Sequence, residues 1–246
     1  MKVGIVADIH ANLAAFQTVI TYLKNENVEE FYCLGDIVGY NSSPKECLDL
    51  VRQHKMIAIR GNHERYVIGE IHESVKPETM FAIEYTRERL KKEDWEYLEA
   101  LPNKRQIEKH HFMIVHGSPR DKDEYIINKM EVIVGSIKKL QTDYPEYTLC
   151  FFGHTHHGNI LAQGQLITDV KETKTFKLDK KKATLVNPGS VGQPRDQCTK
   201  ASCGIFDTDT WTMNIIRLDY NIQDTLDRNR AAKFPEALTT RLQQGK

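Results

Sequence analysis

Apolar and polar positions change places in short blocks from Val3 to Ile59. Val3–Ala7 is an apolar run of strand length, and Leu13–Leu23 repeats its apolar residues at helical spacing behind Asn12, a residue suited to capping a helix. Glu30–Leu34 predicts a second strand, Pro44–Gln53 a helix opened by Ser43, and Met56–Ile59 a third strand. Two successive strand–helix–strand units predict a parallel sheet, since the crossover helix returns each strand to the same edge.

The pattern then changes. Glu64–Leu101 is acidic and helix-forming, with ten Asp or Glu against six Lys or Arg, and predicts a helical insertion over the end of the sheet. Its aromatics Tyr66, Phe81, Tyr85, Trp95 and Tyr97 are expected to pack against one another. Strands resume at His111–Val115 and Thr148–Phe152, with a helix between them from about Glu124 to Leu140. Beyond Gly158 short alternating runs, Asn159–Gln163, Thr173–Leu178, Ala183–Val186, Gly204–Asp207 and Thr212–Leu218, predict an antiparallel second sheet. Lys171–Lys182, with six lysines and two acids, reads as a solvated hairpin, and Asp224–Leu242 as helix broken at Pro235.

Composition narrows the function classes. The 246 residues carry 34 Lys plus Arg and 34 Asp plus Glu, so the charge footprint of a general nucleic-acid or polybasic membrane binder is absent. Any phosphate must be met locally. No segment approaches the ~20 apolar residues of a membrane span, and Val3–Ala7 is too short for a signal-peptide core. Five cysteines fit reduced thiols. The expected setting is the cytoplasm, without membrane contact, and homo-oligomerisation stays open.

The candidate chemistry lies where strands end. Asp8 and His10 follow the first strand, Asp36 the second, Asn62 and His63 the third, His116 the fourth, and His154 and His156 the fifth. Open α/β sheets place ligand sites at the carboxyl ends of their strands. Asp8 with His10, and His154 with His156, are spaced to point the same way on an extended chain. Mixed Asp, Asn and His donors suit Mn, Fe, Ni or Zn, whereas a pure Mg site favours oxygen alone.

Asp8-Ile9-His10, Gly35-Asp36, Gly61-Asn62-His63-Glu64, His116-Gly117 and Gly153-His154-Thr155-His156, in that order, resemble the five motifs of the calcineurin-like metallophosphoesterase superfamily, most closely its small bacterial and archaeal branch. The resemblance continues through Asn187-Pro188-Gly189-Ser190-Val191-Gly192 and the terminal helix. It implies one domain over residues 1–246, of α/β class turning α+β in its second half: a four-layer αββα sandwich of two mixed sheets, with two divalent metal ions at its rim. By that resemblance Asp8, His10 and His156 hold the first ion, Asn62, His116 and His154 the second, and Asp36 bridges them. Ions about 3.5–4 Å apart can share a hydroxide and clamp a phosphate. His63, the motif residue without a ligand role, would give a proton to the leaving oxygen or stabilise the transition state.

Two positions depart from the protein-phosphatase branch, whose second motif continues with an Asp that orients the histidine and an Arg that grips phosphate. Here Gly39 and Tyr40 stand there. Glu64 replaces a common Asp, a change expected to matter little. Arg60, Arg195, Tyr40 and Asn41 are candidate substrate contacts. The expectation is hydrolysis of a small phosphodiester or nucleotide-type ester or anhydride, dinucleoside polyphosphates included. Phosphomonoesters and Ser/Thr phosphoproteins are the alternative substrates, and a non-catalytic protein-binding scaffold is the alternative of another class.

Overall fold

The computed structural model describes residues 1–127, 129–163, 165–167 and 170–246. Its first part runs β1 (Lys2–Val6), α1 (Leu13–Asn25), β2 (Glu30–Cys33), α2 (Pro44–Gln53) and β3 (Ile57–Ala58). Asn12 caps α1 by accepting from the Ala15 amide at 3.2 Å, and Pro44 opens α2 where its missing N–H costs nothing. Next come α3 (Asn62–Val67), α4 (Pro77–Arg89), α5 (Lys92–Ala100), β4 (Lys104–Ile107), β5 (Phe112–Val115), α6 (Met130–Asp143) and β6 (Leu149–Phe151). The chain closes with β7 (Gly158–Ala162), β8 (Gln165–Ile167), β9 (Lys174–Lys177), β10 (Thr184–Pro188), β11 (Ala201–Asp207), β12 (Thr212–Leu218), α7 (Ile222–Ala231) and α8 (Glu236–Gln244).

Two mixed six-stranded sheets result, ordered β3-β2-β1-β11-β12-β9 and β4-β5-β6-β10-β7-β8. Side chains alternate across each strand, which builds four layers. Ile5, Tyr32, Phe112, Ile114, Phe151, Val186 and Phe206 face inward and form the core between the sheets. Val6, Cys33 and Ala58 face outward against α1 and α2, while Met113, Val115, Cys150 and Leu185 face α6. No helix among the described residues is long and apolar enough to cross a membrane.

The late strands do not make a separate antiparallel sheet. β10 runs parallel to β6, with β7 and β8 beyond it, whereas β11 pairs antiparallel with β1 and carries β12 and β9 into the first sheet. Alternation marks a strand but not its partner. The lysine-rich stretch contributes the edge strand β9, with Phe176 buried and its lysines in solvent. Two strands escape the hydrophobic pattern: β4 reads Lys-Arg-Gln-Ile with three exposed residues, and β8 is a three-residue edge. The helix expected from Glu124 starts at Met130 instead. Glu124 accepts hydrogen bonds from Ser118 and Ser136 and braces the loop that follows β5; Asn128, inside the expected helix, lies outside the described residues.

The insertion folds as helices α3 to α5. Tyr66, Trp95 and Tyr97 pack against the core beneath α1 and α2, and Phe81 and Tyr85 pack against Phe234. Ala82 of α4 packs with Tyr40, Phe234 and Leu238, so the insertion reaches the sheet rim through small and packed side chains.

Candidate metal centre

The parallel strands β1, β2 and β3 of one sheet, and β5 and β6 of the other, deliver their carboxyl ends to a common rim. The backbone there is unusual. Asp8 (φ 54°), His10 (φ 47°), Asp36 (φ 53°), His154 (φ 66°) and His156 (φ 62°) all adopt the left-handed region, at a cost of roughly 1–2 kcal/mol for each L-residue. The closely spaced pairs therefore do not work as extended strand. Asp8 and His10 turn into one cluster, while His154 and His156 separate into two.

Several bonds hold these kinks. Asp8 N donates to Gly35 O, His10 N to Asp36 O and Gly192 N to Asp8 O, while the Asp8 carboxylate accepts from His154 N at 3.0 Å and so ties the two sheets together. Glu64 contributes most, and the sequence reading assigned it no such part. Its two carboxylate oxygens accept from the amides of Asp36, Ile37, Val38 and Gly61 at 2.7–3.1 Å, locking the Asp36 loop to the start of α3. Four N–H bonds to one buried carboxylate explain why an acid stands there. Gly61 is required beside it, because a Cβ would lie 2.2 Å from Asp36 Oδ1.

Two groups of ligand-type atoms form, Asp8–His10–Asp36–His156 and Asp36–His116–His154, each with its atoms within 4.8 Å of one another. Asp36 belongs to both. Its Oδ1 accepts from His63 N at 2.9 Å, and Oδ2 lies 3.5 Å from His10 Nε2 and 3.4 Å from His116 Nε2. Asn62 Oδ1 joins the second group, 3.1 Å from His116 Nε2.

The imidazole tautomers test whether these groups fit a cation. His10 Nδ1 faces the Val38 carbonyl at 3.1 Å, His116 Nδ1 the Leu34 carbonyl at 2.7 Å, and His156 Nδ1 the Gln193 carbonyl. A carbonyl only accepts, so each Nδ1 carries a proton, and the neutral rings of His10 and His156 turn a lone pair on Nε2 inward. His10 Nε2 and His156 Nε2 then stand 3.1 Å apart as two acceptors without a proton between them. Asp8 Oδ2 is buried with no hydrogen-bond partner. Lone pairs converging on lone pairs are repulsive unless a cation sits among them, and the donor set fits one in each group.

The charge balance agrees. Burial holds His10 and His156 well below the ordinary histidine range and His154 down to about 3, so these rings are neutral ligands at pH 7. Burial raises Asp8 to about 7, with Asp36 adding to the rise against the influence of His116. His116 goes the other way: burial opposes its charge, yet Asp36 and Asp8 lift it to about 9. Two buried carboxylates draw a proton onto the one ring that can take it, and a divalent cation would compete for the same place.

His63 is buried beside the centre, its ring 4.6 Å from His10 and 4.4 Å from Tyr40. Burial pushes it down to about 4, with Arg195, His116 and Arg241 acting in the same sense and Asp36 against. Its Nδ1 has no partner, and at Gly39 (φ 86°) a Cβ would lie 2.1 Å from that atom, so there is no room for an orienting side chain. The remaining candidates separate. Arg195 comes to the rim, donating to the hydroxyls of Tyr125 (2.9 Å) and Tyr40 (3.1 Å). Arg60 is spent on Glu70 at 3.0 Å. Asn41 is turned inward, donating to His10 O and accepting from Asn229 Nδ2, both at 2.8 Å. The sequence reading missed Tyr125, which is 38% exposed with its ring 5.0 Å from His154. It lies in the segment read as helix, and no local signal distinguishes it.

A family model described as the calcineurin-like phosphoesterase superfamily domain matches residues 1–211. An uncharacterised protein of Methanocaldococcus jannaschii is 32% identical over 258 residues, covering 99% of this chain and 98% of its own. The crystal structure of a metallophosphoesterase from Sphaerobacter thermophilus is 34% identical with a TM-score of 0.87, covering 100% of this chain and 99% of that one. A hypothetical protein from Pyrococcus horikoshii shares the fold at 22% identity and a TM-score of 0.81, covering 100% and 98%. With the family model spanning most of its length and full-length relatives on both comparisons, the chain belongs to the calcineurin-like phosphoesterase superfamily.

Proposed function

We propose that the protein is a hydrolase of small phosphodiesters or nucleotide-type phosphate esters and anhydrides, working in the cytoplasm with two divalent ions. Asp8, His10 and His156 would hold one ion, Asn62, His116 and His154 the other, and Asp36 both. The observation that carries this reading is the convergence of neutral imidazole lone pairs and an orphaned carboxylate oxygen on two foci that share Asp36. The mixed nitrogen and oxygen donors favour Mn, Fe, Ni or Zn. Two such ions supply a Lewis acid for the phosphoryl oxygens and acidify an attacking water.

The chain's own residues do the rest. Arg195 brings a planar fork to the rim and orients the phosphoryl group. His63, with Nδ1 shut against Gly39, would present Nε2 to the substrate. A bound phosphate favours the imidazolium, so the ring gains a proton on binding and passes it to the leaving oxygen. A protein phosphatase is the weaker reading, since Gly39 leaves no place for a carboxylate behind His63 and Tyr40 takes the position of a phosphate-gripping arginine. The test is a screen of the protein loaded separately with Mn, Fe, Ni, Zn and Mg against bis(4-nitrophenyl) phosphate, nucleotide anhydrides, monoesters and a phosphopeptide. Turnover of diester or nucleotide substrates at least about tenfold above the phosphopeptide in kcat/KM, some 1.4 kcal/mol, is expected. Preference for the phosphopeptide would return the protein to the phosphatase side, and metal binding without any turnover would make it a scaffold.

A further inference from the structure

The guanidinium of Arg195 is held at both ends by tyrosine. Arg195 lies in the loop between β10 and β11, where its backbone N donates to His156 O at 3.4 Å. From there Nη1 donates to the Tyr125 hydroxyl at 2.9 Å and Nη2 to the Tyr40 hydroxyl at 3.1 Å. The two rings stand beside different ligand groups: Tyr40 lies 4.4 Å from His10, in the group with Asp8 and His156, and Tyr125 lies 5.0 Å from His154, in the group with His116. The fork therefore joins a ring beside one group to a ring beside the other. Its charge reaches both, since burial holds His10, His63, His154 and His156 down and Arg195 adds to that at each of them. A hydroxyl fixes a planar fork without setting a negative charge against it, whereas a carboxylate partner would compete with phosphate for the same N–H groups.

Tyr125 is itself placed by its neighbours in the chain. Asp123 pairs with Arg65, a guanidinium buried in α3 two residues beyond His63, and Glu124 accepts from Ser118 at 2.6 Å and from Ser136 of α6 at 3.0 Å. The Tyr125 hydroxyl accepts from Arg195 and donates to the carbonyl of Thr155, the residue between His154 and His156, at 3.3 Å. Three consecutive side chains thus bind α3, α6 and the loop after β6. We infer that Tyr125 is a positioning residue, whose hydroxyl holds Arg195 in the orientation from which the fork takes a phosphoryl oxygen. This rests on the phosphoesterase reading above and adds to it a residue that no motif marks. Of the five N–H groups of a guanidinium, the two phenols take one on each Nη and leave the others for phosphate. Without the Tyr125 hydroxyl the fork is tied at Tyr40 alone, and phosphate binding must then order the long side chain.

Tyr125→Phe tests this role, because it removes one oxygen and leaves the ring that packs beside His154. In the metal-loaded protein it is expected to lower kcat/KM for bis(4-nitrophenyl) phosphate by about tenfold, and Arg195→Gln by about tenfold or more. The two losses should not multiply. A hydroxyl that acts through the guanidinium has nothing to hold once that group is gone, so Tyr125→Phe in the Arg195→Gln background should change kcat/KM by less than about twofold. Calorimetry gives a readout apart from turnover: orthophosphate should bind the Tyr125→Phe protein about tenfold more weakly than the wild type, while the Arg195→Gln protein and the double variant should bind it alike. Metal content should be the same in the wild type and every variant. Losses that multiply in the double variant, no loss in Tyr125→Phe, or a loss of metal with it would overturn the positioning role while leaving the phosphoesterase reading intact. Failure of the wild type to hydrolyse any phosphate ester would overturn that reading and this inference with it.

Discussion

Asp36→Asn is expected to yield a folded protein that binds neither ion with useful affinity and turns over phosphate esters about 10³-fold more slowly or worse. The fold should survive because the substituted side chain keeps an oxygen for the His63 amide, the 2.9 Å bond that Asp36 Oδ1 accepts. Its amide nitrogen would then replace Oδ2, 3.5 Å from His10 Nε2 and 3.4 Å from His116 Nε2, and set a donor against the two ring nitrogens that a cation needs. One substitution thus removes a shared negative ligand and competes for two neutral ones. Lewis-acid stabilisation of a phosphoryl group is worth several kcal/mol, and each ~1.4 kcal/mol is tenfold in rate, which sets the size of the loss. Elemental analysis after dialysis and steady-state kinetics check it; a variant that keeps two equivalents of metal and near-normal turnover would show that Asp36 is not the shared ligand.

His63→Ala is expected to separate binding from chemistry. The His63 side chain lies outside both ligand groups, and its backbone amide, which holds Asp36, is unaffected by the change. Metal content should therefore stay at the wild-type level while kcat falls by about 10² to 10⁴, the usual worth of a positioned acid. The loss should shrink for esters whose leaving group needs no proton, such as nitrophenolate. Because burial and the neighbouring cations hold the free ring near 4, proton donation depends on the bound phosphate, and the variant should lose the alkaline limb of the kcat profile. Equal losses for nitrophenyl and alkyl esters would remove the acid role and leave electrostatic support alone.

How much of this was legible in the sequence differs by the range of the interaction that decides it. The ligand residues are legible because a parallel sheet exposes only the carboxyl ends of its strands, so Asp8, Asp36, Asn62, His116 and His154 appear as a series of polar residues just after apolar runs. The backbone those residues adopt is not legible, since the left-handed kinks are held by bonds to residues distant in the chain, Gly35, Ser190 and Gly192 at Asp8, and Asp36 and Asn41 at His10. The same holds for sheet membership. The strands after Gly158 alternate as antiparallel strands should, yet β11 finds β1, about two hundred residues away in sequence, and no periodicity encodes that choice.

Side-chain roles follow the same rule. Glu64 reads as a conservative stand-in for aspartate, and only the folded loop shows four amides around its longer arm. Asn41, adjacent to Tyr40 and outwardly as plausible a substrate contact, spends both ends of its amide on His10 and Asn229. Arg60 and Arg195 look equivalent along the chain, and the difference lies in whether a glutamate waits nearby. Arg241 carries no motif at all; it comes within 5.3 Å of the Tyr40 ring only because α8 packs there.

The central claim is that two ions share Asp36. Crystals of the protein loaded with Mn and measured at the manganese absorption edge test it directly. Two anomalous peaks are expected, about 3.5–4 Å apart, one among Asp8, His10 and His156 and one among Asn62, His116 and His154, with Asp36 within bonding distance of both. A single peak, or two peaks of which one lies away from Asp36, would contradict it.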